Sequence, residues 1–211
     1  MRQFIPVALA LLVSFGFAPG DAWAKDSGGD TEQGLSMEES GIDAIDELFA
    51  KAKAPIDSIT SARTKVDNVA PELNKALGLP ADTPFKEGLA DLKTKAEGKL
   101  EVAVSDKGVP SVTPADGMPD NVKEAVDGLN SGIGEAMAAV ASLAEVPAQI
   151  QEVIAAAKDF DPTKIKPVTK APKAAKALTG NLKVLGKAPG EVEALQQAVE
   201  AMTKDVLTLK G

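Results

Sequence analysis

Residues 120–157 read DNVKEAVDGLNSGIGEAMAAVASLAEVPAQIQEVIAAA, and this stretch decides the fold class. Its apolar residues recur at alternating spacings of four and three, the pattern of a helix face that packs in a bundle. The face consists of Val122, Val126, Leu129, Ile133, Ala136, Val140, Leu143, Pro147, Ile150, Ile154 and Ala157. Pro147 lies on this face and has no backbone N–H, so we expect a kink there.

Small residues also recur along this helix at a spacing of four, at Gly128, Gly132 and Ala136. Small side chains let a neighbouring helix approach closely. In a lipid bilayer the same spacing would favour helix dimers, but here we interpret it as tight packing inside a bundle.

Residues 42–77 repeat the same apolar period nearer the N-terminus. The face consists of Ile42, Ile45, Phe49, Ala52, Ile56, Ile59, Arg63, Val66, Ala70, Leu73 and Leu77. Pro55 and Pro71 interrupt it, and a proline inside a helix costs about 3 kcal/mol. We therefore expect kinks, or two or three shorter helices that share one face. Gly78 and Pro80 are typical of the end of such a segment.

The next segment combines a short helix and a turn. Thr83 and Pro84 predict a helix start, with Thr83 as the cap. Residues 100–104 (LEVAV) alternate apolar and other side chains, and residues 105–108 (SDKG) have turn composition. This pattern predicts a small β-hairpin or loop insertion near residues 100–118, which must pack on helices because an isolated hairpin is marginally stable.

The C-terminal third begins with a Pro- and Lys-rich connector at residues 161–173, where three prolines disfavour regular helix. A helix from Ala174 to about Leu185 follows, with Ala175, Leu178, Leu182 and Leu185 on its apolar face. Gly186 and the Pro189–Gly190 pair predict a break before a last helix at 192–209. Residues 37–211 are thus predicted to form one all-α domain, a kinked antiparallel helical bundle with heptad-type faces.

The first residues have the composition of a secretory signal peptide. Arg2 is followed by an apolar run from Phe4 to Phe17 and by Ala22-Trp23-Ala24, which is typical of a cleavage site. The run is shorter than the ~20 residues that span a bilayer. We predict a signal peptide at 1–24, cleavage after Ala24 and a periplasmic or extracellular location. Residues 25–36 are polar and Gly-rich, which predicts a disordered acidic leader.

Several classes of chemistry lack the residues that they need. The chain has no Cys, His or Tyr, which excludes disulfides, zinc-finger ligands and histidine-based triads. The glycines at 132 and 134, and the stretch 180–187, miss the nucleotide-binding spacings. A net charge of -8 and only two arginines argue against nucleic-acid binding. We expect no enzyme activity, no catalytic residues, no metal and no cofactor.

Charge is strongly segregated along the chain. Between Pro162 and Gly190 there are seven lysines and no acid: Lys164, Lys166, Lys170, Lys173, Lys176, Lys183 and Lys187. Between Asp26 and Ala50 there are eight acids and no base: Asp26, Asp30, Glu32, Glu38, Glu39, Asp43, Asp46 and Glu47. The lysines are candidate contacts for an anionic surface. Alternatively, the two regions neutralise each other or are simply solvated.

These features predict a secreted or periplasmic, non-enzymatic helical protein that acts by helix-face recognition. Its partner is an unknown protein or cell-envelope component, with weak anionic-lipid contact and self-association both left open. The alternative is a lipid- or membrane-active helical protein, an apolipoprotein-like carrier or pore former, in which the uncharged residues 136–144 would serve insertion. A periplasmic holdase chaperone is a third hypothesis, based on analogy of fold alone.

Overall fold

The computed structural model describes residues 35–106 and 108–210, of which 71% are helical. The elements are α1 (Asp43–Leu77), α2 (Phe85–Lys95), β1 (Leu100–Val104), β2 (Pro110–Pro114), α3 (Asp120–Ala141), α4 (Val146–Lys158) and α5 (Ala171–Leu207). The prediction of an all-α bundle with a small hairpin is confirmed. The expected signal peptide (1–24) and residues 25–34 of the expected leader lie outside the described residues.

Three helical rods form the bundle, namely α1, then α3 with α4, then α5. Lys65 on α1 approaches Glu135 on α3, and the later Val69 approaches the earlier Gly132, so these rods are antiparallel. The connector then returns the chain, and α5 runs parallel to α1. Successive rods are therefore antiparallel, as short connections favour.

The core is built from Leu, Ile, Val and Ala, and the predicted face of α3 and α4 is the buried one, except that Val146 is buried in place of Pro147. Ile45, Leu129, Leu143 and Ile150 are fully buried. On α1, Ala62 is buried where the predicted face had Arg63, which lies half-exposed and forms an ion pair with Glu191 on α5. A guanidinium cannot enter an apolar core without a buried partner, so the neighbouring alanine faces inward.

The predicted break before a last helix is wrong, and so is the alternative that residues 42–77 form two or three shorter helices. Helix α1 runs unbroken through Pro55 and Pro71, and α5 runs unbroken through Gly186 and Pro189–Gly190. Both helices keep a continuous buried face past these residues, and burial of each large apolar side chain stabilises by about 1.5–3 kcal/mol. That gain, repeated along the helix, exceeds the local cost of one proline or glycine.

The interruption at Pro147 takes a different form from the predicted kink. Helix α3 ends at Ala141, a turn of residues 142–145 follows, and α4 begins at Val146 with Pro147 in its first turn. The missing N–H costs nothing there, because the first N–H groups of a helix have no intrahelical partner. Leu143, inside the turn, remains buried and keeps the face continuous.

Helix α2 and the hairpin cover one end of the bundle. Helix α2 begins at Phe85 with Pro84 in the cap position, so the expectation that Thr83 caps it is wrong. The Thr83 carbonyl instead accepts a hydrogen bond from Asn74 (2.7 Å). The predicted hairpin is confirmed, with Val102 opposite Val112 in an antiparallel register.

The connector contains two short 3-10 turns, Pro162–Lys164 and Val168–Lys170, in place of regular helix. Helix α5 begins at Ala171, three residues before the predicted start, because Pro172 is accommodated in its first turn. Within 35–106 and 108–210, no helix combines the length and the apolar character that crossing a bilayer requires.

Candidate binding surface

Four of the seven candidate lysines lie on one side of α5. Lys173, Lys176, Lys183 and Lys187 follow one another at spacings of three, seven and four residues, and all four are exposed. At 100° per residue they fall within an arc of about 80°, and they span about 21 Å of helix axis. We call these four residues the Lys face. Gly180 lies in the same row between Lys176 and Lys183.

The other three candidate lysines are exposed in the connector that precedes α5. Lys164 is paired locally, with its Nζ 3.9 Å from a carboxylate oxygen of Asp161. The Thr163 hydroxyl and backbone N–H donate to Asp161 and hold the pKa of that carboxyl below its usual value. Lys166 lies in the bend between the two 3-10 turns, and Lys170 lies in the second turn, directly before α5. The structure thus places four of the predicted site residues on one side of α5 and the other three in the connector.

Within α5, the Lys face sets like charges beside one another. Lys173 and Lys176, like Lys183 and Lys187, are like charges at helical-neighbour spacing, which destabilises a helix by about 0.2–0.5 kcal/mol per pair. Lys173 also lies in the first turn of α5, where the helix dipole disfavours a cation. Among the described residues, no carboxylate lies within 4.0 Å of these four ammonium groups.

An extended segment borders the Lys face. Residues 35–42, which we call the strap, precede α1 and lie along α5. The Asn181 side chain accepts a hydrogen bond from the Glu38 N–H (2.9 Å) and donates one to the Glu38 carbonyl (3.1 Å). Because a single carboxamide satisfies both backbone groups, it binds the strap as a neighbouring strand would.

A solvent-open groove of about 660 Å³ lies between the strap and α5. Its lining includes Ser36, Glu38, Lys176, Thr179, Gly180 and Asn181. A Cβ built at Gly180 would meet no atom of the described residues within 4 Å, so these residues leave free space at the centre of the Lys face. The groove is thus lined by the Lys176 ammonium group, the Glu38 carboxylate and the Thr179 hydroxyl, with free space above Gly180.

The strap carries part of the acid-rich region, so the two segregated regions are neighbours. Glu38 and Lys176 line the same groove, and the Lys173 ammonium lies over Gly41. They remain without a direct ion pair in the part of the chain that the structure describes. The acidic and basic regions are therefore close enough to influence each other's charge, but mutual neutralisation by direct ion pairs is not seen among the described residues.

Asp46, in the first turn of α1, anchors the other end of the strap. Its carboxylate accepts hydrogen bonds from the Ser40 N–H (2.8 Å) and hydroxyl (2.8 Å). Desolvation favours the neutral acid, but the hydrogen bonds from Ser40, Gly41 and Ile42 outweigh it and lower the pKa of Asp46. The Ser40 hydroxyl also accepts from the Ile42 N–H (3.0 Å) within the strap. The bonds to Asp46 thus fix the strap to α1, as Asn181 fixes it to α5.

Asn181 is the residue of this surface that the sequence analysis missed. The predicted face of the first half of α5 was Ala175, Leu178, Leu182 and Leu185, whereas the buried residues there are Ala174, Ala177, Asn181 and Leu185. The predicted face was wrong because it excluded a polar residue from the core side. Buried amides persist where they find partners, and the strap supplies them.

The described residues contain no group of three or more acidic, His or Cys side chains that could hold a metal ion. Comparison with protein families, with curated proteins and with solved structures finds no match to this chain.

Proposed function

We propose that this chain is a non-enzymatic helical interaction protein of the periplasm or extracellular space, and that its Lys face contacts an anionic partner. The observation that carries the proposal is the row of four exposed lysines along one side of α5, over about 21 Å. Like charges at neighbouring positions of the row repel each other, at a cost of about 0.2–0.5 kcal/mol per pair. A partner with a matching row of negative charge offsets that cost.

Electrostatic recognition fits the rest of the surface better than apolar insertion. The large apolar side chains that are exposed within the described residues are scattered, at Val104, Val168 and Leu207. The uncharged stretch 136–144 has Ala136, Val140 and Leu143 in the core, so its apolar face is already occupied. These observations favour the interaction protein over the lipid- or membrane-active alternative.

The location belongs to the same proposal and has its own test. The chain from Lys25 onward contains no Trp or Tyr. We expect N-terminal sequencing of the exported protein to begin at Lys25, and the purified chain to absorb almost nothing at 280 nm. An exported chain that keeps Trp23 would contradict the predicted cleavage site.

The binding test compares two variants of the mature chain with equal charge. In the first, Lys173, Lys176, Lys183 and Lys187 are replaced by Gln. In the matched control, four lysines that are exposed elsewhere are replaced by Gln, namely Lys51, Lys75, Lys158 and Lys204. The probes are a fluorescent polyglutamate peptide and vesicles with and without phosphatidylglycerol, over a salt series.

We expect the wild type and the control to bind polyglutamate at low salt and the Lys-face variant to lose most of this binding. Each lysine near an anionic surface contributes about 1 kcal/mol, an effect confined to a Debye length of about 8 Å at physiological salt. Equal binding by both variants would contradict the assignment of the Lys face. Vesicle binding that survives high salt would favour the lipid-active alternative.

A further inference from the structure

The two edges of the β-hairpin differ in a way that points to a second surface. In an antiparallel pair, the backbone groups of alternate residues face the partner strand and the others face outward. The Ala115 N–H donates to the Lys99 carbonyl (3.1 Å), and the Ser105 N–H donates to the Val109 carbonyl (2.9 Å). With Val102 opposite Val112, this places Leu100, Val102 and Val104 with their backbone groups directed away from β2.

The outer edge of β2 offers no free N–H at its three outward positions. Pro110 and Pro114 have no N–H to offer. Between them, the Val112 N–H donates to the Asn130 side chain (2.8 Å), and the Val112 carbonyl accepts from the same carboxamide (2.8 Å). Proteins close strand edges in this way when pairing with another chain must be prevented.

The outer edge of β1 has no proline and no side chain of the described residues bonded to its backbone. No residue within 35–106 or 108–210 hydrogen-bonds the outward N–H and carbonyl groups of Leu100, Val102 and Val104. The side chains of Glu101 and Ala103 are exposed, and Val104 is 53% exposed although it is a large apolar residue. Free backbone groups in a row on an accessible strand form a template for an added strand.

We propose that β1 pairs with β1 of a second copy of this chain, antiparallel and centred on Val102. In this register Val102 faces the partner's Val102, and Leu100 faces the partner's Val104. Each of the three facing pairs exchanges two backbone hydrogen bonds, about six in all, and the two hairpins form one four-stranded sheet. The exposed Val104 then gains an apolar neighbour on the same face of the sheet.

The side chains of β1 complement themselves in this register. Glu101, the one charged residue of the strand, faces the partner's Ala103 at both ends of the pairing. No like charges stand directly opposite each other, since the two Glu101 side chains are diagonal neighbours, whereas a parallel in-register pairing would place the two carboxylates side by side. This complementarity favours a second copy over an unrelated peptide as the occupant of the edge.

The contact is small, since two five-residue strands bury far less than the ~1,600 Å² of a standard interface. We therefore expect a weak dimer that forms reversibly at high concentration. The pairing would bring two Lys faces into one particle, so a repetitive anionic partner would be bound at two points. The dimer does not depend on the proposed function, because β1 and the Lys face share no residue.

The test is sedimentation velocity of the mature chain from about 10 µM to about 1 mM, the range in which an interface of this size associates. Ala103→Glu sets two carboxylates opposite each other at both ends and should weaken the dimer about 2- to 30-fold. Ala103→Lys sets an ammonium group opposite Glu101 and should strengthen it. The double variant E101K/A103E again sets opposite charges facing each other at both ends and should strengthen the dimer as Ala103→Lys does.

Amide exchange gives a second measurement on the same samples. The Ala103 N–H faces β2 and should be protected at every concentration, whereas the Val102 N–H should gain protection only as the dimer forms. All the substituted side chains are exposed, and circular dichroism checks that the variants fold. A chain that stays monomeric, or a dimer that is equally stable in Ala103→Glu and Ala103→Lys, would overturn the proposal.

Discussion

The carboxamide of Asn181 binds both backbone groups of Glu38, a residue 143 positions earlier in the chain. This pair connects the strap to the third rod of the bundle and forms one wall of the groove beside the Lys face. It also accounts for an amide on the core side of α5, since both polar ends of the side chain are satisfied.

Replacing Asn181 with Ala should release the strap from α5. Two hydrogen bonds are lost and the Glu38 backbone groups lose their partner, so we expect the free energy of unfolding to fall by about 1–3 kcal/mol. Urea unfolding measures this change, and faster exchange of the Glu38 amide localises it. Asn130→Ala is the control, because it removes an equivalent pair at Val112 and should leave Glu38 exchange unchanged.

Replacing Asp46 with Asn should destabilise the fold in a pH-dependent manner. Because folding lowers the pKa of Asp46, its charge stabilises the native state above the unfolded pKa of about 3.9. This contribution disappears as the pH falls through the still lower folded pKa. We expect a loss of about 0.5–1 kcal/mol at pH 7 that shrinks as the pH falls below the unfolded pKa. Asp43→Asn, in the same helical turn, is the control and should cost less at pH 7.

Two glycines should respond to alanine in opposite directions. A Cβ at Gly88 would lie inside van der Waals contact of the Asn74 side chain, where α2 meets α1, so Gly88→Ala should destabilise by about 1–3 kcal/mol. A Cβ at Gly186 would meet no atom of residues 35–106 or 108–210 within 4 Å, so Gly186→Ala should stabilise α5 by about 0.5–1 kcal/mol. Thermal unfolding compares the two. A gain for Gly88→Ala would contradict the close contact between α1 and α2.

Replacing Pro189 with Ala should stabilise the protein. Pro189 lies inside the continuous helix α5, where the Leu185 carbonyl has no N–H four residues later. An alanine supplies that donor. It also gives the unfolded chain more conformational freedom than proline does, which reduces the gain, so we expect the free energy of unfolding to rise by about 1–2 kcal/mol. Pro172→Ala, in the first turn of the same helix, supplies no missing bond and should give no gain. Chemical denaturation distinguishes the two outcomes.

The Lys-face variant should be more stable than the wild type. Removing two like-charge pairs and a cation from the start of α5 should raise the free energy of unfolding by a few tenths of a kcal/mol per contact. In the matched control, Lys75, Lys158 and Lys204 lie in the last turns of α1, α4 and α5, where a cation is favourable, so the control should lose stability. Both differences should shrink as salt is added. A Lys-face variant less stable than the control would contradict the unfavourable electrostatics described above.

The apolar period alone predicted the helical rods and most of their buried faces. Ile45, Leu73, Leu129 and Ile150 are buried where the spacing placed them, because a stripe repeating every 3.5–3.6 residues can be covered only by another helix or a sheet. The hairpin was also predictable, since alternation around a turn is a local signal.

Helix breaks predicted from proline and glycine residues are absent where a continuous buried face extends past these residues. Pro55, Pro71 and Pro189 are all inside continuous helices, although the local cost of each argued for a break. At Pro147 the chain did break, because the preceding turn keeps Leu143 in the core. Whether a helix continues through a proline depends on the total burial along the whole helix. The residues next to the proline do not reveal that total.

By itself, the sequence determined the all-α class, the period of the core faces and the segregation of lysines from acids, because each follows from residue types at neighbouring positions. Only the tertiary structure decided that four lysines share one side of a continuous α5, that Asn181 holds Glu38, and that Asn130 closes one hairpin edge while β1 stays open. These relationships join residues far apart in the chain. Their geometry depends on how the rods pack, because a carboxamide or an ammonium group acquires its partner only when another segment is brought within hydrogen-bond distance.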